Sequence, residues 1–414
     1  MSKRSGDVPA NEPRSTQPLS KRLSGRGLVL ALSLLTALVA GCGSSTSSST
    51  TSSSAGTQSS AGTPAAATST STAASSPASN QPAASATELA KYTNCTSSGK
   101  PKNPNLTVAF AQTDLNTPWR VTELGNFKLW VQKLCIPHFI WNQANEDVST
   151  ELSNVSDLLA KKPTVIILDP EATKPLDPAI SMAAKAGVPI VVVDRALSIN
   201  PGTDTYHVFI GTPQFPLGYN AAKAWITKLK RVEHTNNPKA DFVTIDGGVG
   251  QDPAIGRHNG VLAAIKPYPG IKLVAAQSGD WTRPGGRTVM QAFLQRFPAG
   301  SLKGVYTASD EEFIGAQQAL QAAGRTDLKG WFFTSDGQLQ GLQGVIAGTN
   351  VADSQNPPLY GEPGLQAAIA ISQGVQFHAA TYDLVANTFD CLTAADCAKT
   401  KAYVAKIQLA GTLF

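Results

Sequence analysis

The 414-residue chain predicts an α/β protein built from two doubly wound, Rossmann-like lobes. From Asn105 onward, short β-rich runs alternate with longer helical stretches, in two successive series of about five strands each. Two of those runs, Thr164-Val165-Ile166-Ile167-Leu168 and Pro189-Ile190-Val191-Val192-Val193, are apolar on both faces, as parallel strands covered by helices on each side must be. A hydrophobic content of 42% suffices for both lobes to build cores.

The chain begins with signals for export. Residues 1–26 are polar and carry Lys3, Arg4, Arg14, Lys21, Arg22 and Arg26, and Gly27 to Ala40 is uncharged and mostly apolar. That run is shorter than the roughly 20 residues a spanning helix needs, so it reads as the core of a signal peptide. It ends in Val39-Ala40-Gly41-Cys42, which resembles a bacterial lipobox; the resemblance implies a signal over 1–41 and lipid on Cys42. Removing 1–41 takes away six basic and two acidic side chains, so the net charge of +5 falls to +1 and no nucleic-acid partner is expected. Residues 42–88 are nearly all Ser, Thr, Ala, Gly, Pro and Gln, too poor in apolar surface to offset chain entropy, and are expected to form a disordered tether.

Strands of the first series are expected at Leu106–Ala111, His138–Trp141, Thr164–Leu168, Ile190–Val193 and Tyr206–Ile210. Those of the second are expected at Phe242–Ile245, Lys272–Gln277, Gly304–Thr307, Trp331–Thr334 and Asn350–Asp353. Helices such as Pro178–Ala186 and Glu312–Ala323 end at Gly187 and Gly324, where a left-handed cap belongs. Cys95, Cys135, Cys391 and Cys397 form an even set in an exported chain, expected to pair as Cys95 with Cys135 and Cys391 with Cys397. Their spacings match no metal motif, and neither metal nor cofactor is expected.

In open α/β sheets, ligands sit beyond the carboxyl ends of the strands. The residues there are Trp119 and Arg120 after the first strand, Asp169 after the third, and Asp194-Arg195 after the fourth. The second series adds Arg257, Trp281, Ser309, Asp336 and Gln355. Carboxylates, guanidiniums and amides together satisfy hydroxyls that both donate and accept, and an indole covers the C–H face of a sugar ring. Asp310 and Glu311 open a helix, where acids oppose its dipole, and are expected to serve there instead.

Over about 105–385 the chain resembles the type I periplasmic sugar-binding proteins of the ribose/galactose group. The collinear matches are Pro170, Val188-Pro189-Ile190 before Asp194-Arg195, Arg257 with Gly260, and Asp310 with the helix through Gly315-Ala316 to Gly324. Asp336-Gly337 and Gln355 complete the series. Pro118-Trp119-Arg120 and the run Gln277-Ser278-Gly279-Asp280-Trp281-Thr282-Arg283 are similar to the galactofuranose-binding proteins of ABC importers. The resemblance implies that Arg120, Asp194, Arg195, Arg257 and Asp336 bind hydroxyls while Trp119 and Trp281 pack on the ring. It implies lobe 1 over 104–209 plus 356–380, lobe 2 over 210–355 plus 381–414, and a hinge between them. A monomeric, lipid-anchored, non-enzymatic protein delivering a galactofuranose- or galactose-like sugar to ABC permease subunits is expected, outside the cell membrane or in the periplasm. The alternative is a sugar sensor that signals to a receptor kinase or chemoreceptor.

Overall fold

The computed structural model describes residues 83–202 and 206–414. Cys42, the apolar run before it and the tether as far as residue 82 lie outside the described residues.

The chain enters as β1 (Ala84–Ser85) and a short 3-10 helix (Ala86–Lys91). Then come β2 (Thr107–Gln112), α1 (Pro118–Lys133), β3 (His138–Gln143), α2 (Val148–Ala160), β4 (Val165–Leu168), α3 (Pro178–Ala186), β5 (Ile190–Val193) and β6 (Tyr206–Gly211). The second series runs α4 (Gln214–Glu233), β7 (Ala240–Asp246), α5 (Asp252–Ile265), β8 (Ile271–Ser278), α6 (Arg283–Arg296), β9 (Val305–Thr307) and α7 (Asp310–Ala322). It continues through β10 (Phe332–Asp336), α8 (Leu339–Ala347), β11 (Asn350–Gln355), α9 (Gly361–Ser372), β12 (Thr381–Asp383), β13 (Thr388–Asp390) and α10 (Ala394–Leu409).

Two sheets result, one ordered β1-β12-β6-β5-β4-β2-β3 and one ordered β13-β11-β10-β9-β7-β8. Every pairing is parallel except that of β13 with β11. β4 and β5 are buried at every position, with separate apolar clusters on the two faces of the first sheet, and two more enclose the second. Gly187 caps α3 at φ 66°. The chain passes between the sheets after β6, after β11 and after β12.

Two expected boundaries move. β12 lies in the first sheet, where Thr381 pairs with Phe209, so the return segment reaches Asp383 and does not stop at 380. The tether boundary at 88 falls too late: Ala84 pairs with Tyr382, and Ala86 and Leu89 are buried. Strands of two or three residues are too short to show a period of two, which is why β1, β12 and β13 escape a sequence reading. Cys95 is bonded to Cys135, and Cys391 to Cys397.

Candidate functional site

The carboxyl ends of both sheets face a shared cleft lined by residues of both lobes. Each lobe builds its wall on a helix start. In α1, the Thr117 hydroxyl accepts the Arg120 N–H and Pro118 supplies a preset φ, so the first turn delivers Trp119 and Arg120 to the cleft. The Arg120 guanidinium meets Asp194 at 3.0 Å, Glu123 at 3.1 Å, Asp114 at 3.6 Å, and Asp169 closest of all. Burial works against that positive charge, but the fields of Asp169, Asp194, Glu123 and Asp114 outweigh it and push the Arg120 pKa up. Burial likewise raises Glu123 to about 7 although Arg120 pulls it down.

Trp119 donates its indole N–H to the Asn356 carbonyl at 2.8 Å, and the Arg120 guanidinium lies 4.5 Å from its ring. Arg195 reaches Glu171 at 2.9 Å. Asp194 sits at φ 59°, a left-handed position that turns the chain sharply after β5.

Lobe 2 answers with Arg257, held by Gln214 at 2.8 Å, by the Ala308 carbonyl at 2.5 Å and by Asp336 at 2.9 Å. Burial pushes Asp336 up to about 6 against the pull of Arg257. Close packing of α4 on α5 fixes this arginine: a Cβ on Gly218 would stand 1.9 Å from the Arg257 carbonyl oxygen, and one on Gly260 2.1 Å from that of Phe215. The Arg257 guanidinium lies 5.2 Å from the half-buried Trp281 ring, so each lobe presents a tryptophan beside an arginine.

Of the ten expected ligand-binding residues, Trp119, Arg120, Asp194, Arg195, Arg257, Trp281, Ser309 and Asp336 line the cleft. Asp169 and Gln355 do not. Asp169 is sealed under Arg120 with no exposed surface, its charge costly enough that burial drives its pKa up. Gln355 turns to the Tyr403 hydroxyl and to Asn387 instead. Its neighbour Asn356 takes the place in the cleft, one residue further along the chain. Ser309 contributes mostly as the cap of α7, its hydroxyl accepting the Glu312 N–H at 3.2 Å.

Asp114, Glu146, Glu311 and Gln338 also line the cleft and were not expected there. Glu311 holds Arg283 in a two-pronged pair at 2.9 Å and accepts from Gln338 at 3.1 Å. A helix-opening acid gives no sign in sequence that it faces a cavity. Two buried polar atoms of cleft residues, Arg195 Nε and Asn356 Oδ1, have no hydrogen-bond partner. Among the described residues, no group of three or more His, Cys, Asp or Glu is arranged to hold a metal ion.

A family described as periplasmic binding protein domain matches residues 108–376. The chain is 28% identical over 238 residues to the xylitol-binding protein of Mycolicibacterium smegmatis, covering 57% of this chain and 64%, under two thirds, of that relative. It is 28% identical over 220 residues to the galactofuranose-binding protein of Escherichia coli, covering 53% of this chain and 67% of the other. Among solved structures, a Mycobacterium smegmatis protein in complex with β-D-fucofuranose superposes with a TM-score of 0.66 at 26% identity, covering 74% of this chain and 97% of that one. A galactofuranose-binding protein shares the fold with a TM-score of 0.65 at 23% identity, covering 72% and 99%.

Proposed function

Because this chain belongs to the periplasmic binding protein domain family, we propose that it is an exported capture protein that closes on a monosaccharide and hands it to an ABC importer. The observation that carries this reading is the cleft lining itself, with buried arginines and carboxylates from both lobes. With it go two buried atoms of cleft residues that have no hydrogen-bond partner, Arg195 Nε, 3.9 Å from the Asp194 carboxylate, and Asn356 Oδ1. One donates and the other accepts, and a sugar hydroxyl can meet either need. Around them, Arg120, Asp194, Arg257 and Asp336 supply charged partners, and Trp119 and Trp281 supply ring faces.

The favoured ligand is galactofuranose- or galactose-like. Pro118-Trp119-Arg120 and the run from Gln277 to Arg283 are similar to that branch, and relatives named for galactofuranose and xylitol support a small polyhydroxylated ligand. The protein binds without turnover. Cys42 carries the lipid, and the segment after it spaces the body from the membrane surface.

The test is a thermal-shift screen against furanose- and pyranose-forming pentoses and hexoses, polyols and nucleosides. A ligand present at 100 times its Kd stabilises by about 2.7 kcal/mol, so a raised Tm with a monosaccharide is the expected result. A shift with nucleosides alone would remove the sugar assignment and leave the fold.

A further inference from the structure

Behind the cleft wall, a line of hydrogen bonds joins the two lobes. The Trp281 indole N–H donates to Gln251 Oε1, and Gln251 Nε2 donates to Glu171 Oε1 at 2.6 Å. Glu171 Oε2 in turn accepts from Arg195 Nη1 at 2.9 Å, and the Glu171 backbone N–H is fixed by Glu151 at 2.9 Å. Gln251 precedes α5 in lobe 2, whereas Glu171 follows β4 in lobe 1, so the 2.6 Å bond crosses between lobes. Both residues are more than nine-tenths buried, and neither lines the cleft. The Trp281 ring rests on Gly247, where a Cβ would stand 2.1 Å from it, so the indole has a seat on one side and the Gln251 amide at its N–H.

We propose that Gln251 is a positioning residue that couples lobe closure to the orientation of Trp281, so that the stacking wall is completed only when the lobes meet. The inference rests on the reading of the cleft as a sugar site. When the lobes part, the Glu171 bond breaks and the Gln251 amide is free to turn, taking with it the acceptor that orients the indole. When they meet, Glu171 holds the amide with its oxygen toward Trp281. A ring sugar that needs the indole face gains from this alignment; an acyclic polyol gains less. The strap also holds a closed population in the absence of ligand.

The polarity of the line supplies the test. Glu171→Gln leaves one side-chain oxygen for two donors: if it stays on Arg195, the residue 171 NH₂ faces that of Gln251, and a flip of Gln251 sets its NH₂ against the indole N–H; if it turns to Gln251, its NH₂ faces the Arg195 guanidinium. Gln251→Glu sets two carboxylates against each other. The double exchange restores every bond: residue 251 accepts from both Trp281 and residue 171, and residue 171 still accepts from Arg195. Affinities for D-galactose, D-ribose and xylitol, and the ligand-free radius of gyration by small-angle scattering, would be measured for the four proteins. Each single exchange is expected to weaken the ring sugar that binds by about tenfold, with a smaller loss for xylitol, and to enlarge the ligand-free protein. The double exchange is expected to return both quantities toward wild type. Acrylamide quenching of the Trp281 contribution, taken as the difference from Trp281→Phe in each background, should rise in the singles and fall back in the double. Singles that match wild type, or a double no better than the singles, would overturn the coupling. The scattering and quenching need no ligand, so a wild type that binds none of the three probes counts against the sugar reading, while those two measurements still judge the strap.

Discussion

Arg257 is 1% exposed and commits its guanidinium to Gln214, the Ala308 carbonyl and Asp336 before any ligand arrives. It therefore serves fold and site together. Arg257→Ala leaves Asp336 as an uncompensated buried carboxylate, a change worth about 3–5 kcal/mol, so urea denaturation should register it as a large loss of stability as well as a loss of binding. Trp281 is half-buried, and Trp281→Ala should weaken binding with a much smaller change in Tm. Asn356 and Gln355 make a sharper pair. Asn356→Leu removes the buried Oδ1 that has no hydrogen-bond partner and, under the proposed sugar-binding reading, should lower affinity by about tenfold in calorimetry. Gln355→Leu, facing Tyr403, should leave affinity near wild type. Had Gln355 been the contact, the two results would be exchanged.

At the scale of elements, contact between α4 and α5 governs the arginine. Gly260→Ala places a methyl group 2.1 Å from the Phe215 carbonyl oxygen, so the helices must separate; overpacking of this kind costs about 1–3 kcal/mol and should lower Tm and affinity together. On α2, burial raises Glu151 to about 8, although the Glu171 N–H bond pulls it down. A carboxyl whose pKa is raised by folding keeps its proton in the native state after the unfolded chain has lost it. Stability from this group is thus full below about 4.5 and is lost as pH rises to about 8, at no more than about 1.4 kcal/mol per unit. Glu151→Gln keeps an acceptor for the Glu171 N–H and should flatten the decline between pH 5 and pH 8 in urea titrations.

These elements were legible to different depths. β4 and β5 read clearly because Val165–Leu168 and Ile190–Val193 leave no polar face. Depth did not read: Asp169 and Asp194 both end strands, yet one lies beneath Arg120 and the other beside it at the cleft surface. Nor did the exit from β11, where successive side chains face opposite ways and one position separates a cleft residue from a hinge-side one. Glu311 read as a partner for a helix dipole because sequence carries no information on what lies opposite.

For the whole molecule, the N-terminal segment is held at two places. β1 joins the edge of the first sheet through β12, and the Cys95–Cys135 bond fastens the following loop to the residue just beyond α1. With a sequence separation of 40 residues, that bond restricts the unfolded chain by about 4 kcal/mol in the chain-entropy model. The double exchange of Cys95 and Cys135 to Ser should lower Tm by several degrees or more, and added reductant should have less effect on that variant than on wild type.

Val249 is 88% exposed and stands two residues before Gln251. Its side chain lies outside the cleft lining, yet its backbone adjoins a contact with the other lobe: the Gly250 carbonyl accepts the Thr173 N–H at 3.5 Å. A single thiol placed there, with the four body cysteines already joined in pairs, would carry an environment-sensitive dye next to the moving contact and clear of the ligand. The protein would then act as a reagentless optical sensor, converting the concentration of its ligand into an emission change without an enzyme, a second reagent or a separation step.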